Sequence, residues 1–300
     1  MKDLYSHCQI TKQGHYNALK REQEWQIKER LYVGFIMQIR EIHPAMGLRT
    51  MYEHYNPEGI GRDAFISIGI YYGFRTKVFR NLTKTTFSSP YSRYKNLLVD
   101  KNLNDINQLW TSDLTYFKVG EAFYYIVFIM DVYSRTIVGY SVADNMRAEN
   151  NVTALQMAFK YRKCAKFNYL LTHHSDRGGQ YISEQYIALL NDAKIQVSMC
   201  NEVYENAHID RVNGTIKNMY PQRRSLEHWN ISTFEQLQKK LKRAVDTYNN
   251  SKPHSAIGDR TPVAFEQYIK ELNDENKPKL PIWTCDLSKK QNPNQCIIQF

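Results

Sequence analysis

Residues 109–142, LWTSDLTYFKVGEAFYYIVFIMDVYSRTIVGYSV, decide the fold of this chain. Apolar and β-branched residues recur there in three runs, Leu109 to Phe117, Phe123 to Met130 and Thr136 to Val142. Short stretches of turn-forming residues separate the runs. Three strands at this spacing predict an antiparallel meander.

The chain then alternates between helical and strand patterns. Helices are predicted over Asn150 to Cys164, Ser183 to Asp192 and from about Asn206, and short strands over Tyr169 to His173 and Gln196 to Met199. The order βββαβαβα predicts an α/β fold in which helices cover both faces of a mixed five-stranded sheet. A further basic amphipathic helix is predicted over Phe234 to Tyr248.

Changes in apolar pattern and composition along the sequence predict four regions. Residues 1–79 have a helical pattern, residues 80–107 a basic linker composition, residues 108–272 the α/β core, and residues 273–300 a polar tail without a functional interpretation. The linker could lie along a phosphate backbone, but a solvated connector needs no such partner.

The pattern of the N-terminal region predicts a helix-turn-helix. A short helix from Leu4, a turn near Gln9 and a second helix capped by Thr11 are predicted, followed by a longer helix over Trp25 to Ile42. The second helix exposes Lys12, Gln13 and His15. The alternative is an ordinary small helical bundle. Another helix follows the turn at residues 59–63 and continues through residues 71 and 72.

Composition excludes several classes of protein. No apolar run is long enough to cross a bilayer, and residues 1–6 contain no signal-peptide core. The five cysteines form no C-x-x-C pair, so we expect a reduced, intracellular chain. The net charge of +10 favours a polyanionic partner, although basic proteins without one are common.

Three aspartates are candidates for chemistry. Asp113 lies inside the first strand, Asp176 follows the fourth, and Asp210 lies in the helix that begins near Asn206. Each alone is more often a turn or salt-bridge residue. Together they would repel one another unless hard cations neutralise them, and two Mg²⁺ ions bound by such carboxylates serve in-line displacement at phosphorus.

The helix that carries Asp210 has two stripes. If Asn206 caps it, Asp210, Asn213 and Lys217 share one stripe, beside an apolar stripe. Arg211 and Lys217 could contact phosphate.

These residues resemble a known family. From Trp110 to about Tyr268 the sequence is similar to the integrase catalytic core of bacterial insertion-sequence transposases of the orfB type, which are related to retroviral integrases. The resemblance rests on Trp110-x-x-Asp113-x-Thr115-Tyr116, His174-Ser175-Asp176-Arg177-Gly178-x-Gln180-Tyr181, Glu205-Asn206-Ala207 with Arg211-Val212-Asn213-Gly214-Thr215-Ile216-Lys217, and Tyr248-Asn249-x-x-x-Pro253-His254. The N-terminal region resembles the helical DNA-binding part of that family through Thr11-Lys12-Gln13-Gly14, His43-Pro44-x-Met46-Gly47-x-Arg49-x-x-Tyr52 and Gly59-Ile60-Gly61-Arg62-Asp63.

The resemblance implies a ribonuclease-H-like fold and an Asp, Asp, Glu triad. This chain departs from the pattern at the third position, where Asp210 stands in place of glutamate, 33 residues after Asp176. Aspartate is one methylene shorter, so its oxygens fall about 1.5 Å short unless the helix or the metals shift. Mariner-type transposases resemble this arrangement, which indicates that three aspartates can suffice.

By this resemblance we expect a DNA transposase that uses two Mg²⁺ ions, which Mn²⁺ can replace, to cut a strand at the element end and join the freed 3′-hydroxyl elsewhere. It implies double-stranded DNA as partner, a homo-oligomer on DNA, a bacterial cytoplasmic location at the nucleoid, and a possible fusion to an upstream reading frame. The alternatives are a DNA-binding protein with an inactive core and an RNA-cutting nuclease of the same fold. The expected DNA-binding residues are Lys12, Gln13, His15, Arg49, Arg62, Arg211, Asn213 and Lys217.

Overall fold

The computed structural model describes residues 10–76, 93–98, 101–119, 122–200, 206–219 and 231–282. The chain forms two compact units, one of residues 1–80 with 218–222 and one of residues 81–217 with 223–300. The region boundaries at residues 79, 107 and 272 stay predictions.

The first unit begins with one long helix, α1 (Lys12–Ile42). The side chain of Thr11 accepts a hydrogen bond from the Gly14 amide at 2.9 Å, as expected of the N-cap. The prediction of two separate helices here was wrong, because residues 20–24 are strong helix formers without glycine or proline and the helix runs through them. The shorter helix predicted from Leu4 lies outside the described residues.

Two shorter helices, α2 (Leu48–Tyr55) and α3 (Arg62–Tyr71), complete the described part of this unit. The helix predicted after the turn at residues 59–63 is α3. Phe65 of α3 is fully buried and makes ring contacts with Tyr32 and Tyr52. The expectation of a helical N-terminal region is confirmed, while the helix-turn-helix interpretation stays a prediction.

The second unit is built around a sheet. Its described helices and strands are, in chain order, β1 (Asn102–Leu103), β2 (Leu109–Val119), β3 (Ala122–Asp131), β4 (Ile137–Ala143), α4 (Ala148–Arg162), β5 (Thr172–Ser175), α5 (Glu184–Asp192), β6 (Gln196–Met199), α6 (Ala207–Met219), α7 (Phe234–Ser251), α8 (Pro262–Lys270) and β7 (Leu280–Pro281). The main sheet has the order β4-β3-β2-β5-β6. Strands β2, β3 and β4 are antiparallel, and β5 and β6 run parallel to β2. This is the predicted mixed five-stranded sheet with ribonuclease-H-like topology.

Helices cover both faces of the sheet. On one face, Trp110 of β2 is fully buried in a core with residues of α4 and α5. Gly139 of β4 allows α4 to approach, because a Cβ at this position would lie 2.2 Å from the carbonyl oxygen of Ala154. Asp113 points to the other face of β2, since side chains alternate along a strand. Helix α6 covers that face, where Asn213 contacts Asp113.

Parts of the predicted linker and tail pack together. Strands β1 and β7 pair antiparallel, and Leu98 and Leu103 are buried. The described part of the linker is therefore packed on the second unit, because apolar residues at these positions find partners in residues 280–282, which are remote in sequence.

A buried ion network joins α4, α8 and the end of β3. The Arg162 guanidinium lies 2.9 Å from Asp131 Oδ2 and 2.7 Å from Glu266 Oε2. Ser134 and Thr136 donate to Glu266 Oε1, each at 2.7 Å. Sequence analysis missed this network because its members are remote from one another along the chain.

Two expectations from composition can be compared with the described residues. In the described part of the chain, neither Cys164 nor Cys200 forms a disulfide, and Cys200 is buried. In the part of the chain that the structure describes, every helix is too short or too polar to span a bilayer.

Candidate active site

The first two aspartates lie side by side on neighbouring parallel strands, Asp113 within β2 and Asp176 directly after the end of β5. Ser112 of β2 pairs with Ser175, the last residue of β5, so Asp113 and Asp176 are the next residues on each strand. The predicted limits of β5, residues 169–173, were too early. Because β5 ends at Ser175, Asp176 follows the strand directly and stands beside Asp113.

The third aspartate lies in the first turn of α6. Ile209, Val212 and Ile216 are buried, whereas Asp210 is exposed, which agrees with the two predicted stripes. Asn206 does not cap the helix as expected. Its side-chain nitrogen instead donates to the Ser112 carbonyl at 3.2 Å, which fixes the start of α6 against β2.

The three carboxylates are electrostatically coupled. Burial, and then the charges of Asp176 and Asp210, raise the pKa of Asp113 to about 8. Partial burial, and then Asp176, raise the pKa of Asp210 to about 6 although its side chain reaches solvent. Burial also raises the pKa of Asp176, against the hydrogen bond from the Gly178 amide and the charge of Arg177. We call Asp113, Asp176 and Asp210 the acidic cluster.

Two further residues of α6 face the acidic cluster. Asn213 is buried and donates from Nδ2 to Asp113 Oδ2 at 2.6 Å. Lys217 lies 4.6 Å from the ring centre of Tyr116, and the charge of Asp113 opposes the lowering of the Lys217 pKa by burial. Asn213 thus holds a carboxylate oxygen, and its expected contact with DNA stays a prediction.

The two histidines before Asp176 are packed. His173 shares a hydrogen bond of 2.9 Å with the Tyr186 hydroxyl, and His174 one of 2.9 Å with Ser198. Burial lowers the pKa of His173 to about 3 and that of His174 to about 4, so both rings are neutral near pH 7.

The donors of the acidic cluster suit magnesium, which prefers carboxylate oxygens. Among the described residues, however, no group of three acidic, histidine or cysteine side chains is assembled to hold an ion as it stands. Burial, and then the neighbouring carboxylates, disfavour the ionised forms of Asp113 and Asp210, and a bound divalent cation would favour them. The carboxylates of the acidic cluster therefore fit a magnesium ion in their chemistry and approximate position. To bind the ion, their side chains have to move closer together.

The other expected DNA-binding residues are placed as follows. Lys12, Gln13 and His15 lie in the first turn of α1. Exposed Arg49 and Arg62 each form an ion pair within their own helix, Arg49 Nε with Glu53 Oε1 at 2.7 Å and Arg62 Nε with Asp63 Oδ1 at 2.9 Å. Arg211 is exposed on α6. Contact with DNA stays a prediction for all of these residues.

Sequence analysis missed a group of basic side chains near α6. The turn between β3 and β4 contributes Arg135, and the loop after α7 contributes Lys252 and His254. His254 belonged to a motif of the resemblance, but Arg135 was interpreted only as a turn residue. The motif residue Asn249 covers the edge of β4, where its side chain accepts from the Ile137 amide at 3.0 Å and donates to the Ile137 carbonyl at 2.9 Å.

Comparisons with known proteins agree with this architecture. Two family models, both described as "Integrase core domain", match residues 104–203 and 191–262. The "Insertion element IS600 uncharacterized 31 kDa protein" of Shigella sonnei is 29% identical over 88% of this chain and 99% of its own length. The "Putative transposase for insertion sequence element IS986/IS6110" of Mycobacterium tuberculosis is 31% identical over 61% of this chain and 66% of its own length. The HTLV-2 integrase catalytic core domain, solved in complex with magnesium, is 18% identical with a TM-score of 0.43 over 54% of this chain and 97% of its own. The fold assignment rests on the strand order, not on this distant structural likeness.

Proposed function

Because the chain belongs to the insertion-sequence transposases of the integrase superfamily, we propose that it cleaves a DNA strand at the end of its element and joins the new end to a second site. The observation that carries the proposal is the coupling of Asp113 to both Asp176 and Asp210. Carboxylates lie this close together in sites that bind cations and phosphate.

The acidic cluster holds two Mg²⁺ ions, for which Mn²⁺ can substitute. Magnesium, when bound, neutralises developing charge on a phosphodiester and makes water a better nucleophile. Asn213 orients Asp113 through its hydrogen bond, and the Gly178 amide orients Asp176 through a bond of 3.0 Å to Oδ1.

The reaction has two displacements at phosphorus. In the first, water attacks a phosphodiester at the element end, the bond from phosphorus to the 3′ oxygen breaks, and a 3′-hydroxyl is released. In the second, that hydroxyl attacks another phosphodiester, the bond from phosphorus to the 3′ oxygen of that strand breaks, and a new 3′-hydroxyl is released there while the element end is joined to the 5′ phosphate. No covalent protein intermediate is needed, so no serine or tyrosine nucleophile is assigned.

Asp210 takes the role for which the family pattern has glutamate. Its shorter side chain requires α6 or the ions to shift by about 1.5 Å. Its place in the first turn of α6 makes such a shift easier than it would be in the middle of the helix.

Double-stranded DNA is the proposed partner. Lys12, Gln13, His15, Arg49 and Arg62 contact the element ends from the helical unit, and Arg211 and Lys217 contact the strand near the acidic cluster. Because two ends must be joined, the active form is a homo-oligomer on DNA in the bacterial cytoplasm, at the nucleoid. A fusion to an upstream frame stays a prediction.

The test is cleavage of labelled end-containing DNA in Mg²⁺ or Mn²⁺. Wild type should form nicks and joined products only with metal, Asp113→Asn should form none, and Asp192→Asn, which removes an exposed carboxylate of α5, should match wild type. Equal products from wild type and Asp113→Asn would indicate a contaminating nuclease and refute the proposal. Products from Asp210→Glu but not from wild type would show that the natural core is inactive.

A further inference from the structure

A second group of charges lies on the other side of α6 from the acidic cluster. His208 and Arg211 are three residues apart and share a helix face, whereas Asp210 and Asn213 share another. The first face meets the turn after β3 and the loop after α7. We call the following residues the cationic cluster: Arg135, His208, Arg211, Lys252 and His254.

The cationic cluster is assembled around a buried ring. Arg135 Nη1 lies 2.7 Å from His208 Nδ1. The His254 ring packs on the Tyr248 ring with centroids 4.8 Å apart, and Lys252 Nζ lies 5.8 Å from the centre of the same ring. The charges of Arg135 and Arg211 act on both Tyr248 and His254, so the three elements of the chain that supply these side chains meet at one place.

Two charges of the cluster, those of Arg135 and Lys252, are poorly neutralised by the described residues. Arg135 and Lys252 form no ion pair with any carboxylate of the described residues, and the neighbouring Asp131 is already bound by Arg162. Arg135 Nε and His254 Nε2 are buried polar atoms without a hydrogen-bond partner in the part of the chain described. Burial, and then the charge of Arg211, lower the pKa of Lys252 to about 8.

The donors of such a cluster suit an anion. Arginine, lysine and imidazole groups supply several donors that converge, and phosphate oxygens accept several at once. The exposed Arg211 gives the cluster an opening to solvent at α6. Because α6 also carries Asp210, an anion bound here would be separated from the acidic cluster by the width of one helix.

We propose that the cationic cluster binds a phosphate of the DNA backbone near the phosphodiester that the acidic cluster cleaves. This inference rests on the proposed function for the identity of the ligand, but the anion site itself does not depend on it. A bound phosphate would hold the strand in register by its backbone, without reading its sequence.

The first experiment uses inorganic phosphate and no DNA. The thermal unfolding midpoint of the metal-free full chain is measured in phosphate and in chloride at equal ionic strength, for wild type, Lys252→Gln, Lys252→Arg and the exposed-lysine control Lys160→Gln. Phosphate should raise the midpoint of wild type, Lys252→Arg and Lys160→Gln, and Lys252→Gln should lose most of the rise. In chloride, Lys252→Gln should melt at or above wild type, because it removes a repelled charge. A lysine with only a structural role would give a lower midpoint instead. An equal phosphate shift in wild type and Lys252→Gln would overturn the site.

The second experiment identifies the ligand as DNA. Binding of labelled duplex is measured without divalent metal over a range of salt concentrations. Lys252→Gln should weaken binding about tenfold on element ends and on unrelated duplex alike. Its salt slope should fall by about 0.9 per protomer. If Lys252→Gln loses the rise of the unfolding midpoint in phosphate but keeps the wild-type salt slope of duplex binding, the assignment to DNA is overturned and the anion site remains. Metal-dependent cleavage by wild type is measured separately and decides the proposed function. A failure of the proposed function can therefore be told from a failure of the anion site.

Discussion

Replacing Asp113 by asparagine should stabilise the metal-free protein, and the gain should grow with pH. Asp113 has a pKa of about 8 in the folded chain, against 3.8 for an ordinary aspartate. Between these values the folded state retains a proton that the unfolded state has released. The free energy of unfolding therefore falls as pH rises through this window, and it levels off above pH 8. Asparagine keeps the shape but does not titrate.

The magnitude follows from the width of that window. One pKa unit corresponds to about 1.4 kcal/mol. Between pH 5 and pH 8 the wild type should thus lose up to about 4 kcal/mol relative to Asp113→Asn. Relaxation and sharing of the proton within the acidic cluster reduce this, so about 2 to 4 kcal/mol is expected.

The assay is urea unfolding of wild type, Asp113→Asn and the control Asp192→Asn, in chelator at several pH values. The control should follow wild type throughout. Adding Mg²⁺ at pH 8 should stabilise wild type by about 2.7 kcal/mol at a hundredfold excess over the dissociation constant, and Asp113→Asn by less. A difference between wild type and Asp113→Asn that stays constant from pH 5 to pH 8 would refute the desolvated, like-charged environment inferred for this carboxylate.

Three other substitutions test the scaffold of the site. Arg162→Met leaves two buried carboxylates unpaired and should cost about 3 to 5 kcal/mol in urea unfolding; a loss below 1 kcal/mol would contradict the buried network. Gly139→Ala should cost more than about 1 kcal/mol, because its Cβ would meet the Ala154 carbonyl oxygen at 2.2 Å, and an unchanged melting midpoint would count against that packing. Asn213→Ala should leave the fold intact but reduce strand cleavage at least tenfold through loss of the bond to Asp113, whereas full activity would mean that the bond does not position the carboxylate.

The parts of the fold that sequence predicted are those with local patterns. The apolar runs of β2, β3 and β4 and the apolar stripe of α6, with Ile209, Val212 and Ile216, depend only on neighbouring residues. The sequence did not predict that α1 is continuous, because the helix propensity of residues 20–24 has to be weighed against the expected helix-turn-helix motif. The end of β5 was misplaced because polar residues, His173 to Ser175, are buried there by tertiary contacts.

The candidate site divides in the same way. The three aspartates could be chosen from sequence because each stands in an unusual local setting. The role of Asn213 and the partners of Arg162 depend on contacts between residues about a hundred positions apart, which no local pattern encodes. The cationic cluster was missed for the same reason, since Arg135, His208 and Lys252 belong to three separate segments.

The parallel pairing of β2 with β5 also limits how this chain can vary. Inserting or deleting one residue between Leu109 and Asp113 would turn the carboxylate to the opposite side of the sheet, into the layer occupied by Trp110. Connections outside the strands can change length without this inversion. Insertions and deletions that preserve function are thus confined to the connections between strands and helices. The segment from Leu109 to Asp113 must keep its number of residues.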